Sequence, residues 1–132
     1  MNVKLVKQVF AAAKNQTGEF ASVTGALAQA GVNLSGICAW GDKDKAFFAL
    51  LTNDNAKAID VLKKQGLQVS EQEVVTVVLE DKVGAASEVA EKIKKAGISL
   101  DYVYGSECGC ANTSCLLVVQ SKDNAKVVAA LK

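Results

Sequence analysis

The stretch AQAGVNLSG, Ala28–Gly36, returns further along the chain as KKAGISLDY, Lys94–Tyr102. Each closes an apolar-periodic segment with Ala-Gly, then runs on through a β-branched residue, a small polar residue and Leu. A glycine can end a helix in the left-handed conformation, and the alternation after it can open a strand. The same helix-to-strand joint thus occurs twice, which points to an internal repeat. With Gly18 set on Gly84, an offset of 66, Val23/Val89, Ala30/Ala96, Gly31/Gly97 and Leu34/Leu100 also match. Further on the offset is 69, and Thr52-Asn53-Asp54-Asn55-Ala56-Lys57 faces Ser121-Lys122-Asp123-Asn124-Ala125-Lys126. The three added residues fall where the second copy reads CGCANT.

Each copy reads as the same order of elements. In the first, Val3 to Ala13 carries Val and Phe in loose alternation and suggests a strand. Gly18 to Ala30 sets Phe20, Val23, Leu27 and Ala30 at helical spacing, with Gly31 as the stop. Val32 to Trp40 and Lys45 to Leu51 read as strands around a charged turn. Thr52 is the expected N-cap of a second helix with Ala58, Ile59 and Leu62 inward, Val61 at its margin and Gly66 at its end; Leu67 to Val69 begins a fourth strand. The second copy gives strand Val74 to Leu79, helix Gly84 to Ala96, strands Ile98 to Gly105 and Ser114 to Gln120, and helix Lys122 to Leu131. Leu131 faces Leu62, and no counterpart of the fourth strand follows. The expected fold class is α+β: two tandem ferredoxin-like βαββαβ units, 1–71 and 72–132, each an antiparallel sheet with helices on one face, the second lacking its last strand. An open sheet edge recruits a partner, so another chain, or the strand linking the copies, is expected to cover it.

Composition removes whole classes of function. The chain has 132 residues, a net charge of +1, and no His, Pro or Arg. Histidine-based triads and metal sites cannot be built, and no guanidinium can grip a carboxylate or phosphate. Lysines alternate with acids and the aromatics are not interleaved with them, so nucleic acid is not an expected partner. No apolar run reaches signal-peptide or membrane-spanning length, so neither a membrane nor export is expected and the cytoplasm is the expected compartment. Cys38, Cys108, Cys110 and Cys115 then read as thiols rather than disulfides.

The residues that open and close the first helix of each copy resemble the ACT domain family. They are Gly18, Val23, Leu27, Gly31, Val32, Asn33 and Leu34, and again Gly84, Val89, Ile93, Gly97, Ile98, Ser99 and Leu100. The resemblance covers nearly the whole chain as a tandem pair and is similar to free-standing tandem ACT proteins of bacteria. It implies a regulatory module, dimeric and without a cofactor, that binds an amino-acid-like effector and signals to a separate protein. The ligand would lie where ACT units pack, between the helix-opening loop of one and the start of the second strand of another. That selects Asn15, Gln16, Thr17, Gly18, Glu19, Phe20, Asn33 and Leu34, and Asp81, Lys82, Val83, Gly84, Ala85, Ser99 and Leu100. One departure bears on loop shape. The family usually places Pro before the loop glycine, where this chain has Thr17 and Val83. Independently of the resemblance, a chain without Arg would meet a ligand carboxylate best with bare peptide N–H groups at a helix start. An α-ammonium would want Asn15, Asn33, Asp81, Ser99, Asp101 or nearby carbonyls.

An alternative lies in Cys108-Gly109-Cys110 with Cys115, three thiols on one predicted hairpin that could hold a soft metal or serve redox chemistry. A fourth ligand would have to come from Cys38 or Glu107, and the spacing is not the C-x2-C of structural zinc sites. No catalytic residue is selected: acyl-phosphate hydrolysis on this topology would need an Arg, and Glu19, Glu88 and Glu91 fall on helix faces that are ordinarily solvated. Trp40, Tyr102 and Tyr104 are expected to pack on the sheet or line a ligand wall.

Overall fold

A computed structural model describes residues 1–107 and 114–132. The elements are β1 (Asn2–Lys14), α1 (Glu19–Gln29), β2 (Leu34–Asp42), β3 (Lys45–Thr52), α2 (Asn55–Lys64), β4 (Gln68–Glu80), α3 (Ala85–Lys95), β5 (Tyr102–Glu107), β6 (Ser114–Gln120) and α4 (Asn124–Leu131). Strand order is β2-β3-β1-β4-β6-β5. The chain divides into two compact units, a first unit of Lys7–Gln72 and a second unit of Met1–Val6 with Glu73–Lys132.

In the first unit, β3 pairs antiparallel with both β1 (Val9 opposite Leu50) and β2 (Trp40 opposite Phe47). Alternate residues of these strands, Val9, Ala11, Phe48 and Leu50, face Val23 and Leu27 of α1 and Ala58 and Leu62 of α2 to form the core. Gly31 and Gly66 end the two helices at positive φ, 76° and 88°. In the second unit, β6 pairs antiparallel with β4 (Val77 opposite Leu117) and β5 (Gly105 opposite Leu117). Val75, Val77, Leu79 and Val119 pack there against Val89 and Ile93 of α3 and Val127 and Leu131 of α4. Both units are α+β with helices over a four-strand order that reads second, third, first, fourth, as the ferredoxin-like topology requires.

Two expectations change. The fourth strand of the first copy and the opening strand of the second are one 13-residue strand, β4. The edge expected to be covered by another chain or by the linking strand is occupied from within the chain. Met1–Val6, the leading half of β1, group with the second unit beside β4, and Val3 packs against its core. The strand is supplied from the opposite end of the sequence because an edge with bare N–H and C=O groups accepts any strand of suitable pattern within reach. Smaller shifts occur at element ends. Asp54, not Thr52, caps α2, its carboxylate accepting Lys57 N–H at 3.1 Å. Thr52 Oγ1 accepts Asp54 N–H at 3.1 Å instead. Ile98–Leu100 precede β5 rather than belonging to it.

Candidate functional site

The first helix of each unit begins differently from the second. Asp54 and Asp123 cap α2 and α4 with their carboxylates, Asp123 accepting Lys126 N–H at 3.2 Å. Gly18 and Gly84 stand at the starts of α1 and α3 in the left-handed conformation, φ 88° and 91°, with no side-chain cap. A left-handed residue there costs a glycine nothing and leaves first-turn N–H groups without a carboxylate of their own. The turns are closed by backbone, Glu19 N–H to Gln16 C=O at 3.3 Å and Ala85 N–H to Lys82 C=O at 3.2 Å.

Each of these starts overlooks a cavity. In the first unit it measures about 460 Å³ and is lined by Asn15, Gln16, Gly18, Glu19 and Phe20 from the loop and helix, with Ala39, Trp40, Gly41, Ala46 and Phe48 from the β2–β3 hairpin. In the second unit it measures about 490 Å³ and is lined by Leu79, Lys82, Gly84, Ala85, Ala86 and Ser87, with Gly105, Ser106, Cys115 and Leu117 from β5 and β6. The repeat maps one lining on the other: Gly18 on Gly84, Phe20 on Ala86, Ala39 on Gly105, Ala46 on Cys115 and Phe48 on Leu117. Both cavities are apolar floors with a polar rim at a helix N-terminus, an arrangement suited to a small ligand with one anionic end.

The polar rim is held by named bonds. Asn15 Nδ2 donates to Lys43 C=O at 3.1 Å, fixing the loop to the β2–β3 turn, and Gln16 Nε2 donates to Glu19 Oε2 at 3.1 Å. In the second unit the Cys115 thiol lies 3.6 Å from Asp81 Oδ1, and Lys82 Nζ lies 4.0 Å from Glu88 Oε1. Both partners of that ion pair are more than half exposed, so it holds Lys82 only weakly.

Of the residues selected from sequence, Asn15, Gln16, Gly18, Glu19 and Phe20 meet at one cavity and Lys82, Gly84 and Ala85 at the other. Thr17 and Val83 are exposed at the loop tips, and Asp81 stands just outside the second lining. Asn33 and Leu34 lie beyond the far end of α1. Asn33 exchanges two bonds with Asn53, and Leu34 packs against the first core. Ser99 lines a separate small cavity with Ser121, Lys122 and Lys126, and its C=O accepts Ser121 Oγ at 2.8 Å. Leu100 is exposed. Phe20, read as part of the buried helix face, is 58 % exposed and forms the cavity rim, because the first turn of α1 projects past the core.

Of the hairpin residues, Trp40 was expected on the sheet or a ligand wall, and Ala39, Gly41, Ala46 and Phe48 were missed, although the repeat offset carried a signal, since Ala46 and Phe48 align with Cys115 and Leu117. Trp40 stacks on Phe47 at 5.5 Å and contacts Phe10 at 6.1 Å, on the strand face away from Phe48. Tyr102 and Tyr104 stack on each other at 6.3 Å. Cys108 and Cys110 lie outside the described residues; among the described residues no cluster of three or more His, Cys, Asp or Glu side chains could hold a metal. No helix among them is long and apolar enough to cross a membrane.

The chain has no match among curated proteins. Solved structures match throughout. A protein from Bacteroides thetaiotaomicron superposes with a TM-score of 0.86 at 24 % identity, covering 99 % of this chain and 89 % of that one. The ligand-free regulatory subunit of aspartate kinase from Thermus thermophilus gives 0.67 at 14 % identity, with coverages of 98 % and 93 %. Escherichia coli aspartokinase III, solved with lysine and aspartate, gives 0.52 at 17 % identity over 98 % of this chain and 31 % of that one. At these identities the likeness shows a shared fold. The family profile described as an ACT domain pair matches residues 4–131, so that the repeat first seen at Ala28–Gly36 is that pair and the chain belongs to the ACT domain family.

Proposed function

We propose that this protein is a sensing module that binds a small amino-acid effector at the glycine-opened starts of α1 and α3 and passes the signal to a separate protein. The observation that carries the reading is the twinned geometry: two equivalent helix starts without side-chain caps, each over a cavity of a few hundred cubic ångströms, in a chain with no Arg to bind a carboxylate otherwise. An ACT domain pair is a regulatory rather than a catalytic module. With 1–71 and 72–132 taken as the repeat copies, Asn33, Leu34, Ser99 and Leu100 would meet the effector from an adjoining ACT unit in a dimeric, cytoplasmic assembly.

The test is thermal unfolding of the full chain with each proteinogenic amino acid in turn. One amino acid or a small related set should raise the melting temperature, because a ligand at a hundred times its Kd adds about 2.7 kcal/mol to the folded state. A melting temperature unmoved by all of them would overturn the amino-acid reading.

A further inference from the structure

The two cavities share a backbone design and differ in charge. In the first unit the charged side chain in the lining is Glu19, partly buried in the opening turn of α1, with Gln16 as its hydrogen-bond donor. At the equivalent positions of the second unit stand Ala85 and Lys82, and Lys82 is the charged side chain in that lining. The helix dipole and the glycine start are common to both, so they cannot distinguish the sites. What remains is a carboxylate at one helix start and an ammonium at the other.

We infer that the two sites are not equivalent: a ligand carboxylate enters the α3 cavity, with Lys82 as its counter-charge, and Glu19 keeps the same ligand out of the α1 cavity. This rests on the reading of the helix starts as effector sites. A unit charge a few ångströms from a partly exposed anion shifts its binding severalfold, and the two sites differ by two such charges. The resulting preference for α3 is severalfold, up to about tenfold. Asp81 offsets part of it, since its Oδ1 lies 3.6 Å from the Cys115 thiol of that lining, and the carboxylate of Glu19 in the other lining then decides the sign. Lys82 is released for the ligand at little cost, because its contact with Glu88 is long and exposed. The two cavities are alike in volume, with Ala86 and Leu117 standing where the α1 lining has Phe20 and Phe48.

The experiment is isothermal titration of the full chain with the twenty proteinogenic amino acids, followed by amide NMR with the tightest binder. Wild-type protein should bind about one equivalent per chain at concentrations near its Kd, with shifts at Ala85–Ser87 and none at Glu19–Ala21. Lys82→Gln should weaken binding by about twofold to fivefold. Glu19→Ala should add a second equivalent and bring shifts to the α1 amides. Two equal sites in the wild type, or an unchanged stoichiometry in Glu19→Ala, overturns the inference and leaves the effector reading standing. Absence of binding by every amino acid to wild type and both variants overturns that reading and the inference with it.

Discussion

Gly84 and Gly105 sit on opposite sides of one cavity, and alanine is disfavoured at each for a different reason. At Gly84 a Cβ would meet nothing within 4 Å, but φ is +91°, a conformation that costs an L-residue about 1 kcal/mol. At Gly105 a Cβ would fall 2.6 Å from both Leu116 O and Leu117 Cδ2, and one of those atoms is backbone. Gly84→Ala should therefore lower stability by about 1 kcal/mol and Gly105→Ala by up to about 3 kcal/mol, measured by urea denaturation. Equal effects would show that β6 yields freely at Leu117. The first of these glycines was legible in the sequence, since a repeated glycine before an apolar-periodic run signals a helix start. The second was not, because its contact is with a partner strand, and which residue stands opposite depends also on the geometry of the connecting turn. The exposure of Phe20 was hidden for a related reason: periodicity gives the face a side chain lies on, but not whether a neighbouring element reaches far enough to cover it.

Among the elements, the helices separate into two kinds by how they begin. Asp54 and Asp123 accept the N–H of Lys57 and Lys126, and each sits in a Thr/Ser-x-Asp-Asn pattern that also ties Thr52 to Asn55 and Ser121 to Asn124. Asn55 and Asn124 then bind Lys7 C=O and Glu73 C=O, at 3.0 Å and 2.8 Å, anchoring each helix start to a strand. Asp123→Ala should cost about 1 kcal/mol, seen as a lower denaturation midpoint with an unchanged slope. It should leave effector affinity intact, because α4 lies away from the α3 cavity lining. The repeat made these helices legible in place and length. The cap of α2 was placed two residues early because Thr and Asp are both good N-caps, and the choice between them is made by where the preceding strand ends.

At the scale of the molecule, the feature that the repeat could not reveal is the exchange of strand roles. β1 is the first strand of one unit, yet its leading residues complete the other; β4 is fourth strand to one and first strand to the other. The repeat called for a fourth strand in the second unit, and the apolar alternation of Val3 and Leu5 was visible. Nothing local linked the two, because they are joined by a contact across most of the chain. Deleting Met1–Val6 should destabilise the second unit by at least about 2 kcal/mol through loss of the Val3 contact and its ladder hydrogen bonds. Hydrogen exchange at Val74–Leu79 should accelerate, and the bared edge should promote self-association. Unchanged protection there would mean that the leading half of β1 contributes nothing to the fold.

That borrowed strand also imposes an order on biosynthesis. Met1–Val6 are made well before Glu73–Lys132, the segment they finish, and at ordinary translation speeds the interval is on the order of ten seconds. Through that time Val3 rides on the nascent chain with no native place to dock, so Lys7–Gln72 can fold on the ribosome while the second unit must await Glu73–Lys132.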